Sequence, residues 1–193
     1  MYKLSIYREI IMEKKATDLR VRRTCSLLSL ALVNLMQTRS FDKISVLHIC
    51  ERAMVHRATF YLHFDDKYDL LRYILSEYAK QITDDSIADL KEYITDAAAK
   101  FFADIEKNYL VYKRMIEKND SLVLLNVLED SIHNIIYKKM SECLDEPEEK
   151  LRTRASFYCG GVMNLAVKMC TGGLSRSCGD VLPEIRKLID KVL

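Results

Sequence analysis

Residues 45–64 read SVLHICERAMVHRATFYLHF, and this stretch decides how the rest of the chain is understood. Ser45 is a good N-cap, and Val46, Ile49 and Ala53 recur behind it at helical spacing, so 45–52 is a short helix with one apolar face. Residues 53–55 make a tight turn. A second short helix follows over about 56–62, with Val55, Phe60 and Phe64 as apolar anchors and His56, Arg57, Ala58 and Thr59 of exposed type. A short helix, a three-residue turn and a second short helix have helix-turn-helix proportions. Such a motif makes a narrow demand. Its second helix must offer small or polar side chains to base edges in a DNA major groove, while its other face packs on the helix before it. Tyr61 and His63 flank the anchors with groups able to donate to phosphate oxygens.

Upstream, 17–38 reads as a first helix whose apolar face carries Leu19, Leu27, Leu28, Ala31, Leu32, Leu35 and Met36. Arg20, Arg22 and Arg23 sit in its first turns, where cations oppose the helix dipole, so an external phosphate partner explains them better than local stability. Residues 39–44 are a connector. Met12 opens a plausible alternative start, which would leave 1–11 outside the fold, and 1–16 as a whole is read as an N-terminal extension before the first helix. Downstream, Asp66 is an N-cap with Asp69 three residues later in a capping-box-like arrangement, and a fourth helix runs to about residue 84. Further amphipathic helices are predicted at about 86–106, 108–117, 121–143, 148–171 and 180–192. The expected fold is all-α, with about nine helices: a three-helix helix-turn-helix domain over 17–66 and a helical domain over 67–193.

Composition agrees. The 193 residues hold only two prolines and five glycines, too few breakers for a β-rich or loop-rich chain. Residues 1–67 carry 12 Lys/Arg against 7 Asp/Glu, hence +5, and the remainder carries −3, so the basic end is the end with the helix-turn-helix. The six cysteines show no CxxC pair and no clustering with histidine, which points to reduced thiols in a cytoplasmic protein. No apolar run approaches the roughly 20 residues that span a bilayer, and residues 1–15 lack the clean apolar core of a signal peptide. No GxSxG, P-loop or HExxH occurs. Asp130-x-x-His133 alone does not make a di-metal helix, which needs several matching carboxylates. Neither catalytic residues nor a metal or cofactor are therefore expected.

Residues 23–71 resemble the N-terminal domain of the tetracycline-repressor-like (TetR/AcrR) transcriptional regulators. The resemblance is carried by Arg23-Thr24, Phe41, Ser45-Val46, Ile49, Ala53, Val55, Thr59-Phe60-Tyr61, His63-Phe64, Lys67 and Leu70-Leu71, with the TFYxHFxxKxxLL run as its most specific part. Three positions depart from the family pattern: Met54 replaces the turn glycine, Ser40 the connector glycine, and Cys50 the alanine after Ile49. The resemblance implies that Ser45, Tyr61 and Lys67 contact phosphates and that Arg57, Ala58 and Thr59 face bases. It places His56 against either, has His63 contact phosphate or pack, and lets Arg23 reach the backbone from the first helix.

The tail from about residue 155 is similar to a C-terminal domain of some of these regulators, including relatives of dihydroxyacetone-kinase activators. An aromatic-x-Gly-Gly stretch, a glycine-containing break and a final short helix carry that likeness. Gly160 and Gly161 each disfavour a helix by about 1 kcal/mol relative to alanine, and close approach of a second subunit would offset that; Leu165 lies one turn on. The family implies a homodimer on a pseudo-palindromic double-stranded DNA site, and a pocket for a small apolar or amphipathic ligand. Candidate lining residues are Phe101, Phe102, Tyr109, Tyr112, Met115, Tyr137, Phe157 and Met163. The alternative reading is a co-regulator of the same fold that acts through a protein partner.

Overall fold

The computed structural model describes residues 3–119, 122–174 and 177–192, with side chains at 19–119, 126–174 and 177–189. The described residues form nine α-helices: α1 Lys3–Met36, α2 Val46–Ala53, α3 Arg57–Tyr61, α4 Lys67–Ile82, α5 Leu90–Lys107, α6 Tyr109–Lys118, α7 Leu122–Cys143, α8 Glu148–Thr171 and α9 Cys178–Val192. A 3₁₀ turn, Phe41–Lys43, joins α1 to α2. The all-α reading holds. The main departure is α1, which begins at Lys3 rather than 17. No glycine or proline interrupts 3–36, so nothing in that stretch breaks a helix. The predicted extension 1–16 is helical where its backbone is described; its side chains lie outside the described residues, as do Met1 and Tyr2 altogether.

Two cores form. In the N-terminal one, Leu28, Leu32, Phe41, Ile44, Ile49, Phe60 and Leu70 are fully buried. Leu19 and Leu27 were expected on the inner face of α1, but they are 66% and 40% exposed. The covered stripe runs through Cys25, Leu28, Leu32 and Met36, and three short helices shield no wider a face. The second core lies among α5–α9, around Phe102, Ile105, Met140, Met169 and Ile189. α4 belongs to both units: Leu70 and Leu71 join the first core, while the Tyr78 ring packs edge-on to Phe101 of α5. From the other side, Met115 of α6 and Val127 and Leu128 of α7 pack against the N-terminal core.

A polar cluster ties α4, α5 and α6 together. Tyr112 Oη donates to Asp104 Oδ2 at 2.5 Å, Tyr78 Oη donates to the same oxygen at 3.1 Å, and Asn108 Nδ2 donates to Asp104 Oδ1 at 2.7 Å. Burial pushes the Tyr78 phenol up to about 12 and raises that of Tyr112 as well. None of the six cysteines is in a disulfide. Cys25, Cys50, Cys159 and Cys170 are buried, and burial pushes the Cys159 thiol up to about 11, so these side chains serve packing rather than thiolate chemistry. Among the described residues no helix is long and apolar enough to cross a membrane.

Candidate nucleic-acid interface

The start of α2 is fixed by a reciprocal cap. Ser45 Oγ accepts from the His48 backbone N–H, and His48 Nδ1 accepts from the Ser45 backbone N–H, both at 3.2 Å. His48 is half-buried and occupies the place that Glu or Gln usually takes in such a box. The Ser45 hydroxyl proton is not used by the cap and is available to a phosphate.

The turn after α2 keeps the backbone a glycine would adopt, without the glycine. Met54 is left-handed, at φ 55 and ψ 42, and its N–H and that of Val55 both return to the Cys50 carbonyl. Its side chain is 92% exposed, so packing does not compensate for the conformation. The departure from glycine at this position therefore leaves the left-handed turn in place.

His56 is the N-cap residue of α3 and makes no side-chain cap bond. Arg57 and Ala58 are exposed, Thr59 is half-buried, and Phe60 is driven fully into the core, where it meets Phe64 at 5.7 Å between ring centroids. The anchors and the presented residues thus fall on opposite faces of one short helix. Arg57 does not hang free. Its Nη2 donates to Tyr61 Oη at 3.3 Å, and its guanidinium lies 5.8 Å from the centroid of that ring. Tyr61 is half exposed, so the pair forms one surface unit a turn apart. His63 is half-buried with its ring edge-on to Phe64. Arg23 is exposed on α1.

Lys67 is committed to the protein's own backbone. Its Nζ donates to the carbonyls of Phe41 at 2.8 Å, Ile44 at 2.9 Å and Asp42 at 3.2 Å, and it lies 4.7 Å from the centroid of the Phe41 ring. Three acceptors engage all three ammonium protons. The lysine clasps the connector between α1 and α2 to the start of α4, and burial lowers its affinity for its proton. Three exposed apolar side chains escaped sequence reading: Leu47, Met54 and Leu62, the last 79% exposed at the end of α3. For Leu62 the signal was available in the spacing: at about 100° per residue it lies roughly opposite both Phe60 and Phe64, the inward anchors.

The ligand-pocket candidates separate. Phe102 is fully buried in the second core and Phe157 is 68% exposed on α8. Tyr109 donates to the Cys170 carbonyl at 3.1 Å, and Tyr112 belongs to the Asp104 cluster. Tyr137 stacks on His133 beneath the Arg152 guanidinium. Phe101, Met115 and Met163 are half-buried. Open surface grooves of the described residues include one along α8 at Glu148, Arg152 and Ser156 and one between α2 and α3 at Leu47, Met54 and Arg57; none of the eight candidates lines either. On α8, Gly160 and Gly161 are exposed, and a Cβ added at either meets open space within the subunit. Leu165 instead leans on the second core.

Residues 30–74 match the family model described as bacterial regulatory proteins, tetR family. No curated protein matches the chain. Among solved structures, a TetR transcriptional regulator from Rhodococcus sp. RHA1 is similar at TM-score 0.61 and 14% identity, over 89% of this chain and 96% of that one. A dihydroxyacetone kinase operon activator, DhaS, is similar at TM-score 0.54 and 16% identity, over 86% and 93%. The fatty acid degradation regulator FadR from Bacillus halodurans is similar at TM-score 0.53 and 15% identity, over 86% and 94%. At these identities the likeness is one of fold.

Proposed function

We propose that this chain, a DNA-binding transcriptional regulator of the tetR family and hence no enzyme, acts as a homodimeric repressor that reads base edges with Arg57, Ala58 and Thr59. The observation that carries the reading is the division of α3: Phe60 fully buried on one face, Arg57 and Ala58 open on the other. A guanidinium grips O6 and N7 of guanine in bidentate fashion, and Ala58 offers a methyl to thymine. Tyr61 holds Arg57 in place through its hydroxyl and ring, and so contributes to base choice as well as to phosphate contact. Ser45, His56, His63 and Arg23 supply the remaining contacts. Lys67 stands behind the contact surface as the clasp of the connector.

A two-fold dimer would put two α3 helices about 34–36 Å apart on a pseudo-palindromic duplex. Support for an α8–α9 seam comes from the open face of Gly160 and Gly161 and from two large apolar side chains left in solvent, Phe157 on α8 and Leu188 on α9, the latter 60% exposed. The reading extends to a small apolar or amphipathic effector held among α5–α8, supported by the half-burial of Phe101, Met115 and Met163.

Selection of duplexes from a randomised pool by the full-length protein, followed by titration of the selected site, tests this. Arg57→Ala should weaken binding by about 1–3 kcal/mol and relax preference at one position of each half-site. Uniform weakening on every sequence would make Arg57 a phosphate contact instead. A protein that selects no duplex would turn the reading toward a co-regulator acting through a protein partner.

A further inference from the structure

The helical body reaches the helix-turn-helix unit through a buried amide. Asn119, at the C-terminal end of α6, is 7% exposed. Its Oδ1 accepts from the Phe41 backbone N–H at 2.6 Å, and its Nδ2 donates to the Met36 carbonyl at 3.1 Å and to the Met115 carbonyl at 2.7 Å. Met36 is the last residue of α1 and Phe41 opens the 3₁₀ turn, so one side chain closes the gap between them. It also meets a need: the last carbonyls of α1 and the first amide of the turn lack intrahelical partners.

The same turn is gripped from its other side by Lys67, which takes the carbonyls of Phe41, Asp42 and Ile44. Ile44 immediately precedes Ser45, the cap of α2, so whatever holds the turn aims α2, and with it α3. α6 is itself tied at its middle, where Tyr112 meets Asp104 of α5 and Tyr78 of α4. The apolar neighbours across the seam, Met115, Val127 and Leu128, fill space without fixing register, because apolar contact has no direction and a hydrogen bond has.

We propose that Asn119 is a positioning residue for DNA recognition: its amide locks the connector that aims the recognition helix to the end of α6. The inference rests on the DNA-binding reading above and names the side chain that fixes the connector.

Hydrogen exchange on the intact wild-type protein gives the first test. The Phe41 amide should exchange at least about tenfold more slowly than the same amide in an unstructured peptide, in step with the hydrogen-bonded amides of α6. Exchange of the Phe41 amide at the unstructured-peptide rate overturns the proposal. The second test is Asn119→Ala, titrated with the duplex that the wild-type protein selects from a randomised pool, at a temperature where circular dichroism shows the variant folded. Affinity should fall about tenfold, the usual scale of inter-site coupling, and Phe41 exchange should accelerate while the α5 and α8 cores stay protected. A merely space-filling Asn119 lowers the melting midpoint and leaves the affinity of the folded protein unchanged, and that result overturns the proposal. If the alanine variant does not fold, Asn119→Ser, too short to reach both Phe41 and Met36, should show the same loss, and wild-type affinity in it is equally decisive. A wild-type protein that selects no duplex breaks the DNA-binding reading instead, which is distinguishable from either exchange result at Phe41.

Discussion

The helix-turn-helix unit and the α5–α9 body commit their polar groups differently. In the first, side chains mostly serve the backbone a few residues away: Ser45 and His48 cap each other's amides, and Asp66 Oδ1 accepts from Tyr68 and Asp69 at 2.8 Å each. In the second, beside local bonds of the same kind, several reach between helices: Tyr112 to Asp104, Tyr109 to the Cys170 carbonyl, and Asn119 out of the body altogether to Met36 and Phe41. Local capping gives a small unit its own shape; cross-helix bonds make a larger one behave as a single piece and decide how the two meet. On the proposed reading, presentation belongs to the first unit, whose open face is α3, and assembly and regulation to the second.

The strongest way to break that division is to empty each core in turn. Phe60→Ala and Phe102→Ala both remove a fully buried ring, and each should cost about 3–5 kcal/mol in denaturant unfolding. Their consequences should part. Phe60→Ala should abolish DNA binding while the dimer persists in sedimentation, and Phe102→Ala should weaken the dimer first. Loss of the dimer in both would mean that the two units do not divide the work.

Lys67 tests the boundary between the units. Lys67→Met removes three charge-assisted bonds to backbone carbonyls and should destabilise the protein by about 2 kcal/mol. Because those bonds hold the connector, the salt dependence of operator binding should keep its slope; a phosphate contact at this position would flatten it by about one unit.

The Asp104 cluster offers a smaller, pH-resolved effect in the body. The Tyr78 phenol is raised from near 10 to about 12, so the folded state holds its proton more tightly than the unfolded chain. Its contribution is complete below pH 10 and is lost as pH climbs through 12. Allowing for the solvent that reaches it, the loss is on the order of 1 kcal/mol. Tyr78→Phe should remove that alkaline slope from unfolding measured between pH 9 and 12, and should delete one late-ionising tyrosine from the absorbance titration.

What was legible in the sequence follows the same division. The caps at Ser45 and Asp66, the anchors Phe60 and Phe64, and the exposure of Arg57 all sit within one or two turns of the residues that explain them, so spacing sufficed. Lys67 and Asn119 are explained by groups 23 to 83 residues away, and no local pattern announces such partners. Asn119 falls between two predicted helices, with its side chain unaccounted for. In the body, aromatic residues at helical spacing marked the helices but could not separate Phe102, fully buried, from Phe157, in solvent, because both fit an amphipathic pattern.

The smallest effect compares two helix ends that share a conformation and differ in residue. α8 ends at Gly172, left-handed at φ 85, and α2 ends at Met54, left-handed at φ 55. A Cβ at Gly172 meets nothing within 4 Å, and the Met54 side chain is almost wholly in solvent, so packing enters neither case. Only backbone preference and the freedom of the unfolded chain remain. A side chain in the left-handed well costs about 1–2 kcal/mol, and glycine returns part of that through its greater unfolded-state entropy. Met54→Gly should therefore stabilise by about 0.5–1 kcal/mol, and Gly172→Ala should destabilise by a similar amount. Both are read as opposite shifts in thermal midpoint, with operator affinity unchanged. If Met54→Gly instead lowers operator affinity, the methionine does more than close the turn: its exposed thioether would then be an apolar contact at the edge of the groove it shares with Leu47 and Arg57.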